Sequence, residues 1–184
     1  MSHRKGTTMM TATETPRIYV ASLSDYNAGR LVGAWIDLDA YTDVDTLHEA
    51  IAAMLAKSPE PIAEEWAIHD YEGFGDIHLD EYESLETVAN LANAITEHGD
   101  AFAAWATDDY RRENPDKFQD QYLGQYKDRE TYAQEDATLC DMLDQLPNNL
   151  GSYFNWEAYA RDLFMDLDDA PAPDGGIYVF DPNA

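Results

Sequence analysis

The sequence predicts an α+β fold: an elongated chain of three small domains in which small antiparallel sheets combine with helices under an acidic surface. Three observations carry this. Short runs such as RIYVASL and IYVF are rich in β-branched and aromatic residues and alternate as half-buried strands do. Other runs repeat apolar residues three and four apart behind Ser, Thr or Asn, the pattern of capped amphipathic helices. Finally, 37 acidic side chains face 11 basic ones, a formal charge of −26, while 45% of the residues are hydrophobic. Disordered polyanions lack apolar and aromatic residues. This chain has enough of both to build a core.

Residues 1–16 read as a flexible leader, polar and without periodicity. An N-terminal α+β domain follows over 17–70. Arg17–Leu23 alternates Ile18, Val20 and Ser22 against Tyr19 and Ala21, a strand. Asp25–Arg30 (DYNAGR) is a turn by composition, and Gly33–Leu38 is a second strand. Thr42, with Asp45 three residues on, reads as the N-cap of a helix. Val44, Leu47, Ile51, Met54 and Leu55 share one face of it, and Ser58-Pro59 and Pro61 end it. Glu65–Tyr71 is a third strand.

A central helical domain covers 71–107, with eight acids and no base. Glu72–Ile77 is a Gly-containing loop. Ser84 caps a helix carrying Leu85, Val88, Leu91, Ala92 and Ile95, Gly99 stops it, and Asp100–Thr107 is a short second helix. A C-terminal α+β domain covers 108–184. Asn114-Pro115 starts a helix there. Thr131–Leu146 has helical spacing through Tyr132, Leu139, Met142, Leu143 and Leu146. Asn155 caps a helix with Trp156, Tyr159, Ala160, Leu163 and Leu167 inside, and Glu157, Asp162, Asp166 and Asp169 outside. Ile177–Phe180 closes the domain as a strand.

The same residues exclude several classes. No apolar run approaches the ~18–20 residues that span a bilayer, and Met1–Thr15 contains no signal-peptide core. Cys140 is the one cysteine, so no internal disulfide forms and a reducing cytoplasm is expected. Its neighbours Leu139, Met142 and Leu143 mark a buried, inert thiol. No HExxH, cysteine pair or Gly-rich phosphate loop is present, so no cofactor is expected. His48, His69, His78 and His98 do not pair on one helical face. His69, beside Asp70, is a candidate general base, but reads better as a half-buried strand histidine. Asp37, Asp39, Asp43 and Asp45 imitate a calcium loop until the glycine position, which is Thr42, and the bidentate glutamate position, which is His48. Carboxylate pairs are too abundant to single out a catalytic one. The expectation is not an enzyme.

The charge itself is the most informative feature. No Lys or Arg occurs between Lys57 and Arg111. A compact chain this lopsided suffers self-repulsion, so a basic partner is expected rather than nucleic acid or an anionic membrane. Duplex DNA carries one charge per ~1.7 Å of axis, so 26 charges match ~44 Å, about 13 base pairs. Carboxylates three or four apart on a helix lie ~5–6 Å from one another, the order of phosphate spacing. Asp162, Asp166 and Asp169 form one such ladder, and Asp109, Glu113, Asp116 and Asp120 a second that need not be one continuous helix. With Glu72, Asp76, Asp80, Glu83, Glu86, Glu97, Asp100 and Glu157 they make up a candidate DNA-mimicking surface. Two other readings stay open on these grounds. A halophile-type acidic domain would unfold at low salt. An acidic inhibitor of some other basic enzyme would bind outside a DNA groove.

Three blocks resemble the ArdA antirestriction family. PRIYVASLSDYNAGR at 16–30, followed by GAWID at 33–37, is similar to its opening signature. EEWAIHDYEGF at 64–74 is similar to its next block, and IYVF at 177–180 to its end. The likeness spans roughly 16–181. It implies a cytoplasmic DNA mimic of mobile genetic elements, with three small domains in an elongated, curved homodimer. It also implies a partner, the methyltransferase core (specificity and modification subunits) of type I restriction–modification enzymes. Dimer contacts and an antirestriction motif are implied in the last third, where Glu135–Pro147 fits best, with Leu139, Met142, Leu143 and Leu146 as its apolar members.

Overall fold

The computed structural model describes residues 14–38, 43–139 and 153–184. The leader through residue 13, Asp39, the Thr42 cap, Cys140 and the helical continuation with Met142, Leu143 and Leu146 lie outside these. The architecture is α+β, with small antiparallel sheets. The chain divides into two compact units, the first ending at Pro115 and the second running Asp116–Ala184. Residues 17–70 and 71–107 both lie within the first.

The first unit is built on a sheet of order β2-β1-β3, with β1 Arg17–Ser22, β2 Gly33–Asp37 and β3 Trp66–Glu72 all antiparallel. Ile18 and Val20, both fully buried, face the core as the alternation predicts. The register against β3 shifts after Tyr19: Tyr19 sits opposite Asp70 but Val20 opposite Ile68. His69 is therefore the extra residue of a bulge. Helix α1 (Leu23–Asn27) occupies the first half of the expected DYNAGR turn, because Ser22 and Asp25 bond each other and cap it.

Helix α2 spans Val44–Leu55 and packs on β2 and on the helix Leu85–His98. Its cap is Asp43, one residue beyond the position read from sequence: Asp43 Oδ1 accepts the Thr46 N–H at 2.8 Å. Leu47, Ile51 and Met54 are buried along its inner face. Helix α3 (Leu85–His98) begins at Ser84, whose hydroxyl accepts the Thr87 N–H, and stops at Gly99, φ +68°. Only a residue tolerant of positive φ ends a helix this way without strain. Helix α4 (Asp100–Trp105) follows at once and buries Phe102 and Trp105 completely. Helix α5 (Asp109–Glu113) is capped by Asp108.

A 3₁₀ turn from Pro115 to Lys117 and then helix α6 (Phe118–Gln121), in the second unit, stand in place of a helix started by Asn114-Pro115. The sheet of that unit has order β4-β6-β5, antiparallel, with β4 Tyr122–Tyr126, β5 Asp168–Pro171 and β6 Ile177–Phe180. Only β6 is where the sequence places a strand. Strands β4 (YLGQY) and β5 (DDAP) carry Gly, Pro and adjacent acids, weak strand formers; pairing with β6, whose Tyr178, Val179 and Phe180 are buried, holds them. Helix α7 runs Arg129–Leu139 over the described residues, two residues ahead of the expected Thr131 start because Asp128 caps it.

Helix α8 (Trp156–Leu163) is capped by Asn155, which accepts the Ala158 N–H at 3.0 Å. It ends at Leu163, so Leu167 is not on its inner face and Asp166 and Asp169 are not on its outer one. The chain turns through Phe164–Leu167 because Asp168–Pro171 is drawn into pairing with β6. Asp136 on α7 accepts the Tyr159 hydroxyl of α8 at 3.1 Å.

Candidate acidic interaction surface

The candidate carboxylates come from several elements. Glu72 ends β3 and is half-buried. Asp76 and Asp80 project from the irregular segment before α3, whose Ile77 and Leu79 point inward, buried. Glu83 is half-buried beside the Ser84 cap. Glu86 is exposed in the first turn of α3 and Glu97 in its last, while Asp100 opens α4, half-buried. Acids in a first turn also sit favourably against the helix dipole.

Neither proposed ladder is a helical stripe. Asp109 and Glu113 lie on α5, Asp116 in the 3₁₀ turn and Asp120 on α6, and the last two belong to the second unit. Asp162 is on α8, Asp166 in the turn after it and Asp169 on β5. All are exposed except Asp169, which is half-buried, and Glu157 is exposed in the first turn of α8. The ladders are thus replaced by acids on several separate short elements.

The chain's own arginines neutralise part of the set. Arg17 bonds Glu72, Arg112 bonds Asp109 and lies 3.8 Å from Glu83, Arg161 lies 2.7 Å from Asp162, and Arg129 clasps Asp169 through bonds of 3.0 and 2.6 Å. Among the described residues, Asp80 and Glu97 pair with His78 and His98, at 3.6 and 3.9 Å, partners when protonated. Asp76, Glu86, Asp100, Glu113, Asp116, Asp120, Glu157 and Asp166 have no ion pair among the described residues. These members of the candidate set have no described cation to compete with an external one.

Helical periodicity missed an acidic sheet face. Arg17 lies opposite Asp37 and Glu72, and Tyr19 opposite Trp35 and Asp70, so the six share the outer side of the first sheet. The Arg17 guanidinium stacks 4.6 Å from the Trp35 ring, and its pKa is raised chiefly by the Glu72 bond. Asp37 and Asp70 are exposed there. Strand alternation starting at Arg17 was the signal for them.

His69 packs edge-on against Tyr26 at 4.9 Å and stands 3.9 Å from Glu81, a bulge residue in a polar niche. An open cleft of about 370 Å³ is lined by Val44, His48, Trp66, Tyr82, Glu83, Ser84, Leu85 and Glu86. Its Ser84 hydroxyl is committed to capping α3. Among the described residues no group of three or more His, Cys, Asp or Glu is placed to hold a metal ion, and no helix is long and apolar enough to cross a membrane.

No match to a curated protein was found. The family model for the antirestriction protein ArdA matches residues 18–177, from the second residue of β1 to the first of β6. By that match over most of its length, the chain belongs to the ArdA antirestriction family.

Proposed function

We propose that this protein is a DNA mimic that occupies the DNA-binding groove of type I restriction–modification enzymes and so blocks restriction, modification or both. ArdA proteins are inhibitors rather than enzymes, and membership supports antirestriction as the activity and a type I enzyme as the partner. The observation that carries the mimicry is that each unit has exposed carboxylates with no ion pair among the described residues, Asp76 and Glu86 in the first unit and Asp120, Glu157 and Asp166 in the second. Such a surface attracts a basic groove at long range and pairs with its Lys and Arg side chains on contact.

In this reading the partner surface is the methyltransferase core, formed by specificity and modification subunits, and the protein acts in the cytoplasm as an elongated homodimer of three-domain chains. Dimerisation doubles the matched length to about 26 base pairs, the reach that a bipartite recognition site requires. Leu139, Met142, Leu143 and Leu146 are the proposed dimer and antirestriction segment.

The test is competition. The protein is titrated against a type I methyltransferase core on labelled duplex DNA at low and moderate salt. Displacement that weakens as salt rises is expected. No displacement by a demonstrably folded protein would overturn the proposal.

A further inference from the structure

We propose that Arg112 is a positioning residue for the acidic surface, holding the segment Asp76–Glu83 and the Asp109 carboxylate in one geometry. The inference rests on the DNA-mimic reading. Asp76, Asp80, Glu81 and Glu83 crowd one irregular segment, and no Lys or Arg lies between Lys57 and Arg111. Like charges this close push apart. Ile77 and Leu79 anchor the segment from beneath, the Glu83 N–H bonds the Asp80 carbonyl and the Ile68 N–H bonds the Glu81 carbonyl, but the segment has no Lys or Arg of its own to offset its acids.

Arg112 reaches back from α5 to do so. Its Nη1 donates to the His78 carbonyl at 2.6 Å and lies 3.8 Å from Glu83 Oε2, while its Nη2 bonds Asp109. One planar cation thus ties the backbone of the segment, the carboxylate at its end and the first turn of α5. The Arg112 and Glu83 side chains are each only 17% exposed, against 72% and 62% for Arg161 and Asp162. Glu83 directly precedes the Ser84 cap, so the same contact bears on where α3 begins and where Glu86 stands. A lysine ammonium lacks the fork needed to meet these partners together.

The sign of the effect separates positioning from bulk charge. Arg112→Gln makes the protein more negative by one unit. If charge total alone mattered, it would bind a basic groove as well as the unaltered protein or better. If Arg112 sets the geometry, it binds worse. Lys127→Gln removes the same charge at a side chain 85% exposed, and Arg112→Lys keeps the charge while losing the fork.

These three variants and the unaltered protein are titrated against a type I methyltransferase core on labelled duplex DNA, below the unfolding range of each. Amide hydrogen exchange is followed over residues 76–83. For Arg112→Gln the half-displacing concentration should rise about five- to tenfold, with faster exchange confined to that segment. Arg112→Lys should fall between, and Lys127→Gln should match or exceed the unaltered protein. Undiminished displacement by Arg112→Gln overturns the inference. If that variant does not fold, Arg112→Lys decides: weaker displacement supports positioning and equal displacement overturns it. Failure of the unaltered protein to displace DNA would instead sink the DNA-mimic reading, and this inference with it.

Discussion

Ser58, just beyond the end of α2, donates its hydroxyl to the carboxylate of Asp25, 33 residues earlier. Asp25 is fully buried, and also accepts from the Ser22 hydroxyl at 2.8 Å and from Arg30 Nε at 3.1 Å. These bonds hold its carboxyl below the usual value of 3.8, with the Ser58 bond the largest cause. A depressed folded-state pKa contributes stability that is complete above the unfolded value and is lost as pH falls through the folded one. Acidification also relieves general repulsion among the other acids, an opposing effect. Asp25→Asn should therefore lower the urea midpoint at neutral pH, and the gap to the unaltered protein should close in the acid range. Urea unfolding followed by circular dichroism across pH checks this. A gap that does not vary with pH would rule out the carboxylate as its source.

Two caps are isolated enough to measure singly. Ser84 and Asn155 each satisfy one orphan N–H, of Thr87 and Ala158. Ser84→Ala and Asn155→Ala should each cost about 1 kcal/mol in chemical denaturation. Ser84→Gly should recover most of its loss.

Gly176 has φ +85°, and a Cβ there would meet the carbonyl oxygen of Tyr126 across the β4–β6 pairing. That oxygen is backbone and cannot step aside. Gly176→Ala should destabilise by about 1–3 kcal/mol, as overpacking does. Thermal unfolding monitored in the near-ultraviolet, where the second unit's tyrosines report, reads the effect.

Inhibition by many weak ion pairs should tolerate single losses. Neutralising Asp162, already paired with Arg161, should change DNA displacement by less than about twofold. Removing Asp76, Glu86, Asp100 and Glu113 together should weaken it by about fourfold or more, since surface ion pairs are each worth about 0.2–1 kcal/mol. The salt dependence of displacement should become shallower in the same variant. Abolition by Asp162→Asn alone would point to a single hot spot instead.

The sequence by itself determined what is local. Caps at Ser84 and Asn155, the stop at Gly99 and the inward faces of α2 and α3 rest on interactions within about four residues, and the strands around Ile18 and Val179 show in local alternation and composition although their pairing is distant. The charge and the family resemblance were equally open to reading, the latter in β1, β2, β3 and β6. Tertiary structure decided the rest. Strand β4 is interrupted by Gly124 and β5 has little propensity of its own; both pair with β6, and the β5 pairing goes with the end of α8 that breaks the ladder from Asp162 to Asp169. Some acids are neutralised by near neighbours, as Asp109 is by Arg112 and Asp162 by Arg161, but others by arginines distant in sequence: Glu72 by Arg17, 55 residues apart, and Asp169 by Arg129, 40 apart. Charge sums over a sequence, but neutralisation needs contact within a few ångströms, and only the folded chain brings those partners together.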